Sequence, residues 1–183
     1  MQLIVHTPQI WSIENFLTAE ECAELIRLSE SLGYQEAEVS LPGGAKMIKG
    51  MRNNYRLLLQ DGALAERYWQ QLKPYCPARL DGSEPVSLNE QFRFYKYESQ
   101  QRFKRHLDGR FTRNDQEESR ITFMIYLNED FTGGETDFDE VVIQPKTGSA
   151  LCFIHEQKHE GCPVASGIKY VLRSDVMYRK SSF

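Results

Sequence analysis

No stretch of this sequence holds an apolar run approaching the ~20 residues that span a bilayer, so no transmembrane helix is expected. Its opening, MQLIVHTPQIW, has neither a basic start nor an apolar stretch long enough for a secretory signal, and the expectation is a cytoplasmic protein with no membrane partner. Cysteine is sparse. Cys22, Cys76, Cys152 and Cys162 form no C-x-x-C pair and fall on segments that read as helix, loop and strand, which argues for four separate buried or semi-buried thiols. A basic excess is also missing: the formal net charge is -4, and Lys and Arg are scattered among acids, so nothing marks a nucleic-acid partner. Internal repeats, low-complexity tracts and linkers are absent as well.

What is present is an ordinary globular composition, 40% hydrophobic and 26% charged over 183 residues, which suits one domain spanning 1–183. The front, about 1–85, reads as a mainly helical segment. LTAEECAELIRLSESLGY sets Thr18 and Glu21 at capping-box spacing, places Ala23, Leu25, Ile26, Leu28 and Leu32 on a stripe, and closes at Gly33. A second helix follows Asp61, with Leu64, Tyr68 and Leu72 at four-residue steps before Pro74. Between them a glycine-punctuated loop leads into a strand from about Tyr55. From about 86 to 180 the texture changes to short β-rich runs such as FRFYKYE, SRITFMIYLNE, EVVIQ, SALCFIH and KYVLRSDVMYR, separated by turn residues. That spacing predicts a mainly β fold, sandwich or barrel, with helices packed outside.

One short motif misleads. His155-Glu156-Gln157-Lys158-His159 spells the H-E-x-x-H of zinc peptidases, which works only on a helix, where both histidines share a face. Here an apolar strand-like run precedes it, and Gly161 and Pro163 follow. The expected order is strand, turn, strand, leaving His155 a structural histidine and Glu156 and Glu160 as exposed turn acids.

A different pair carries more chemistry. His106 and Asp108 are two apart, so at the end of an extended strand both side chains leave on one face. A third ligand from His159, if a later strand brings it opposite, would complete the two-imidazole, one-carboxylate set that suits non-haem Fe(II) with open positions. Read alone, Asp108-Gly109 is equally an ordinary turn with His106 at the surface.

The larger pattern is HLD, then MIYLNEDFTGGETDF, then HEGCPVASGIK. From Phe92 to Tyr178 it resembles the 2-oxoglutarate and Fe(II)-dependent oxygenases, in their prolyl 4-hydroxylase-like branch. The resemblance implies a double-stranded β-helix, or jelly-roll. It further implies His106, Asp108 and His159 as iron ligands and catalytic residues, and Lys169 as the cation for the distal carboxylate of 2-oxoglutarate. Tyr97 and Tyr126 match tyrosines of the cosubstrate pocket. Arg173, four residues beyond Lys169 and so on the same strand face, is a second candidate for that carboxylate or a salt-bridge partner for a nearby acid. Fe(II), 2-oxoglutarate and O2 are the implied cofactors, with ascorbate as an accessory reductant. One departure is Arg105, where prolyl hydroxylases often place proline, so a prolyl substrate does not follow from the motif.

The implied activity is hydroxylation of an unactivated C–H bond with release of succinate and CO2. A jelly-roll sensor that binds iron and 2-oxoglutarate without turnover is the alternative. A zinc hydrolase on the same ligands is a third, for which a carboxylate clamp has no use. The substrate, small-molecule or peptidyl, carries no recognisable code. The segments LPGGAKMIKGMRNN and GRFTRNDQEES are expected to form the mouth and order over substrate, with Arg52, Asn53 and Asn54 as donors.

Overall fold

The computed structural model describes residues 1–37 and 51–181 in full and the backbone of 39–41 and 44–46. Among the described residues the fold is mainly β, and ten strands form one antiparallel sheet. Its central run is Ile10–Glu14, Ala150–Ile154, Glu117–Tyr126, Lys169–Lys180, Gln91–Tyr97 and Tyr55–Gln60. A smaller sheet orders Val142–Ile143, Thr136–Phe138, His159–Gly161 and Phe103–His106, and a short ribbon pairs Thr132–Gly133 with Val164–Ser166.

Alternation along the long strands divides the molecule. On one face Phe92, Phe94, Ile121, Phe123, Leu172 and Val176 join Leu25 of α1 (Ala19–Leu32) and Tyr68 and Leu72 of α2 (Gly62–Leu72) in one core. Each such aliphatic or phenyl side chain contributes roughly 1.5–3 kcal/mol by leaving water. The intervening residues, among them Tyr95, Tyr97, Tyr126 and Val171, belong to a second cluster with Phe138 and Phe153. This inner layer holds the site.

Both helices start as their sequence dictates. Thr18 Oγ1 accepts from Glu21 N at 3.2 Å and Glu21 answers on Thr18 N at 2.9 Å, completing the capping box, while Asp61 accepts from Leu64 N at 2.9 Å. The buried stripe of α1 differs from expectation. It is Cys22, Leu25 and Ser29, whereas Leu28 and Leu32 are exposed. Ser29 is admitted because its hydroxyl donates to Ile26 O at 2.8 Å and accepts from Tyr34 at 2.8 Å, leaving no orphaned polar atom.

The front segment is also less helical than its sequence suggested. Gln2–Thr7 and Ile10–Glu14 form a hairpin whose second strand pairs with Ala150–Ile154. Local pattern favours this once a partner exists, because Ile10, Trp11 and Ile13 are all buried against the sheet. No helix among the described residues is long and apolar enough to cross a membrane.

Candidate metal and cosubstrate site

The H-E-x-x-H segment is strand, turn and strand: Ala150–Ile154 ends before His155, and His159 opens the next strand. That second strand pairs antiparallel with Phe103–His106 so that His159 faces His106 directly. Long-range register therefore does what sequence proximity does not. With Asp108, two residues beyond the strand end, the three offer ligand atoms all within 4.8 Å of one another.

The two imidazoles are oriented by their own backbones. His106 Nδ1 lies 2.7 Å from Lys104 O, and His159 Nδ1 lies 3.0 Å from Gln157 O; a carbonyl only accepts, so both rings carry the proton on Nδ1. Each Nε2 lone pair is thereby left for the cluster, and His106 Nε2 is buried with no hydrogen-bond partner. Burial is the main cause that pushes His159 down to about 4, against the opposing pull of Asp108, so this ring is neutral at pH 7. Asp108 is the reverse case: burial pushes its carboxyl up, but the Arg173 guanidinium holds it well below the usual carboxylate range. Thr122 Oγ1 donates to Asp108 Oδ2 at 2.6 Å and Arg173 Nη1 pairs with Oδ1 at 2.9 Å, fixing the carboxylate in place. Two imidazoles with Nε2 turned to the cluster, one ionised carboxylate and an orphaned buried nitrogen fit a divalent metal of borderline hardness.

These groups line a tight chamber of about 40 Å³ together with Tyr97, Thr136 and Lys169. Lys169 is 3% exposed, and its Nζ donates to Gly134 O at 2.6 Å while standing 5.3 Å and 5.4 Å from the rings of Tyr97 and Tyr126. Among the described residues no carboxylate lies within ion-pair distance of it. Burial lowers it to about 8, a buried cation without a counter-anion. Tyr126 is beside the ammonium but not a wall of the chamber; its hydroxyl meets Thr136 Oγ1 at 2.6 Å, and Thr136 is the residue that lines the space.

Arg173 shares the strand face of Lys169, as its spacing implies, yet its guanidinium is committed to Asp108 and, at 3.2 Å, to Asp175. Asp175 also pairs with Arg93 at 2.8 Å and lies 3.5 Å from His155. His155 is thus buried below the site and outside the metal cluster.

The expected substrate donors separate. Arg52 is buried, whereas Asn53 is exposed and accepts from Arg102 N at 2.8 Å, lining neither cavity beside the cluster. Asn53 is a backbone tie because the bridge between Arg52 and Phe103 needs its side chain there. Asn54 serves Arg52, accepting from its Nε at 2.6 Å. Of the two expected mouth segments, Gly109, Arg110 and Phe111 do rim the outer cavity, while Thr112–Asn114 pairs back on Glu117–Tyr126 as a hairpin. In the other, Pro42, Gly43 and Met47–Gly50 lie outside the described residues.

Tyr95 was not among the expected site residues, though it sits two before Tyr97 on the same strand face. Burial pushes its phenol up, but Arg173, Arg52 and Arg93 outweigh that and hold it below the ordinary value. The alternation that marks Tyr97 would have found it.

Residues 92–174 match the model of the 2OG-Fe(II) oxygenase superfamily. Residues 92–174, which hold the whole cluster and Lys169, are thus a 2OG-Fe(II) oxygenase segment. Fe(II) and 2-oxoglutarate are the cofactors of this superfamily, and the His106, Asp108 and His159 cluster is of the kind they require. Solved structures agree on the fold. The collagen prolyl hydroxylase of Paramecium bursaria Chlorella virus 1, solved with 2-oxoglutarate, superposes with a TM-score of 0.66 at 22% identity, over 93% of this chain and 96% of that one. A Pseudomonas putida prolyl-4-hydroxylase gives 0.66 at 21%, over 95% and 94%. The Trichoplax adhaerens prolyl hydroxylase, solved with a hypoxia-inducible-factor peptide, gives 0.73 at 18%, over 93% and 84%. The chain therefore has the jelly-roll fold of the prolyl hydroxylases. No curated protein sequence matches this chain.

Proposed function

We propose that residues 1–183 act as one catalytic domain that hydroxylates an unactivated C–H bond of a small-molecule or peptidyl substrate. The observation that carries this reading is that the His106, Asp108 and His159 cluster shares one chamber with a buried Lys169 that has no carboxylate within ion-pair distance among the described residues. When bound, iron and 2-oxoglutarate let one atom of O2 enter the substrate as an alcohol while the other enters succinate, with loss of CO2.

The chain's own residues would divide the work as follows. His106 and His159 hold the metal through Nε2, their rings locked by the Lys104 and Gln157 carbonyls. Asp108 supplies the carboxylate, and Thr122 and Arg173 keep it from rotating. Lys169 receives the distal carboxylate of 2-oxoglutarate. At ~4 Å and an effective dielectric near 20 that attraction is on the order of 4 kcal/mol before desolvation. Arg173 is the weaker candidate for that role because its charge is already shared between two carboxylates. Phe153, Met124 and Val171 exclude water from the chamber. A cytoplasmic setting is part of this reading, supported by four free cysteines, which suit a reducing compartment.

The test is a substrate screen read by succinate release, with anaerobic controls and stoichiometric Fe(II) titration. The reading predicts one Fe(II) per chain and succinate formed only with O2. Turnover of 2-oxoglutarate that survives His159→Ala would sink it.

A further inference from the structure

Next to the metal cluster a second, open cavity of about 490 Å³ is lined by Arg52, Arg93, Arg173 and, on its apolar side, Phe103, Leu107 and Phe111. Its size is that of a small-ligand site. We propose that this cavity takes a small carboxylic acid as the substrate, its anion held by Arg52 and its apolar body against the phenyl walls. The inference rests on the metal-site reading above, since that cluster is what makes the neighbouring cavity a substrate chamber.

Arg52 carries the argument. It is 4% exposed, and its guanidinium carbon lies between two rings, 4.4 Å from the centre of Tyr95 and 4.5 Å from that of Phe103. Nε donates to Asn54 Oδ1, but Nη2 is buried with no partner. Among the described residues no carboxylate is within ion-pair distance of this cation, whereas Arg93 and Arg173, on the same cavity, each reach Asp175. A guanidinium buried without an anion is costly and is retained where an anion arrives. The stacked rings hold the planar fork still, so a carboxylate meets preset donors.

Charge balance gives the same sign. The two charges of iron and the one of Lys169 are offset by Asp108 and doubly negative 2-oxoglutarate. Apart from Arg56 and from Arg110, which pairs with Glu118 and Glu156, that leaves the guanidiniums of Arg52, Arg93 and Arg173 on the cavity against the single carboxylate of Asp175. A neutral prolyl amide would leave this excess unanswered; an acid answers it.

Benzoate and benzamide test the idea, being alike in shape and different in charge. Full-length protein is loaded with Mn(II), which binds as Fe(II) does but does not turn over, and saturated with 2-oxoglutarate to block Lys169. Each probe is then titrated by calorimetry. Benzoate should bind at least tenfold tighter than benzamide, Arg52→Gln should erase the preference, and Arg52→Lys should keep part of it. If Arg52→Gln does not fold, competition on the unaltered protein decides: acetate should displace benzoate and acetamide should not. Equal binding of the two probes, binding of neither, or a preference that survives Arg52→Gln overturns the proposal. Mn(II) stoichiometry and 2-oxoglutarate affinity, read on the same samples, keep the two readings apart. Their failure with the benzoate preference intact strikes the metal site, and their success without that preference strikes the acid substrate alone.

Discussion

The two faces of the Lys169–Lys180 strand are built from neighbouring residues and obey opposite rules. Leu172, Val176 and Tyr178 point into the helix-side core, where the neighbouring side chains are mostly apolar or aromatic. Lys169, Arg173 and Asp175 point the other way, all three ionisable, Lys169 and Asp175 buried and Arg173 half-buried. The Glu117–Tyr126 strand repeats the division, with Ile121, Phe123 and Ile125 in the core and Thr122 on the chamber. One face supplies the stability that the other consumes. Such a division is available to a strand because its side chains alternate strictly, so a residue's neighbour in sequence is never its neighbour on the face.

Breaking each face should have separable effects. The largest is His159→Ala, which should abolish stoichiometric metal binding measured by titration under anaerobic conditions, while the helix-side core stays folded by circular dichroism. Next, Phe123→Ala removes a fully buried ring from the core and should destabilise the protein by about 3–5 kcal/mol in urea unfolding. Its remaining folded fraction should still bind metal. If metal affinity fell as steeply as stability, the two faces would not be independent.

Lys169→Met sharpens the comparison, because it should move function and stability in opposite directions. Loss of a charge-assisted contact worth ~1.5–3 kcal/mol should raise the dissociation constant of 2-oxoglutarate at least tenfold. The ligand-free protein should gain stability on the order of 1 kcal/mol, since an unpaired buried ammonium is gone. A melting temperature below that of the parent protein would show that Lys169 is not a burden.

Titration gives a smaller version of that opposition. Burial lowers Lys169 from 10.5 to about 8, so between those values the unfolded chain holds a proton that the folded one has lost. Stability from this group therefore rises with pH across the window and is at its lowest, and constant, below pH 8. Cosubstrate affinity runs the other way, falling about tenfold per pH unit above 8 because the lysine must be recharged to bind a carboxylate. Calorimetry at pH 7 and 9 in buffers of different ionisation enthalpy would detect the proton taken up. The smallest effect is expected of His155→Ala, which should leave metal stoichiometry unchanged, since this ring faces Asp175 and lies outside the cluster.

Sequence reading went furthest where chemistry is local. The two-residue spacing of His106 and Asp108, the rejection of a helix around His155 and the alternation that puts Arg173 on the face of Lys169 all follow from strand geometry and turn residues. Register across the smaller sheet was not legible, because the pairing of His159 with His106 depends on partners distant in sequence; the motif resemblance supplied it instead. The N-terminal hairpin was missed for a similar reason, since Ile10–Glu14 is a strand by virtue of the Ala150–Ile154 edge it covers. The difference between Arg52 and Asn53 is also invisible in a loop sequence. Both are polar donors, and only the bridge to Phe103 buries one and exposes the other.

The bond from Lys169 Nζ to the Gly134 carbonyl changes what an affinity for 2-oxoglutarate would mean. On the proposed assignment the incoming carboxylate is a rival for an ammonium that already has an acceptor, so binding is an exchange and its free energy a difference between two hydrogen bonds. Gly134 sits at a φ of +71°, where an added Cβ would lie 3.2 Å from Lys169 Cδ and 3.0 Å from the Phe131 ring. On that assignment the Gly134 carbonyl would act as a placeholder for the carboxylate in the ligand-free protein. That carbonyl, released on binding, would report cosubstrate arrival from the side of the chamber that touches no metal.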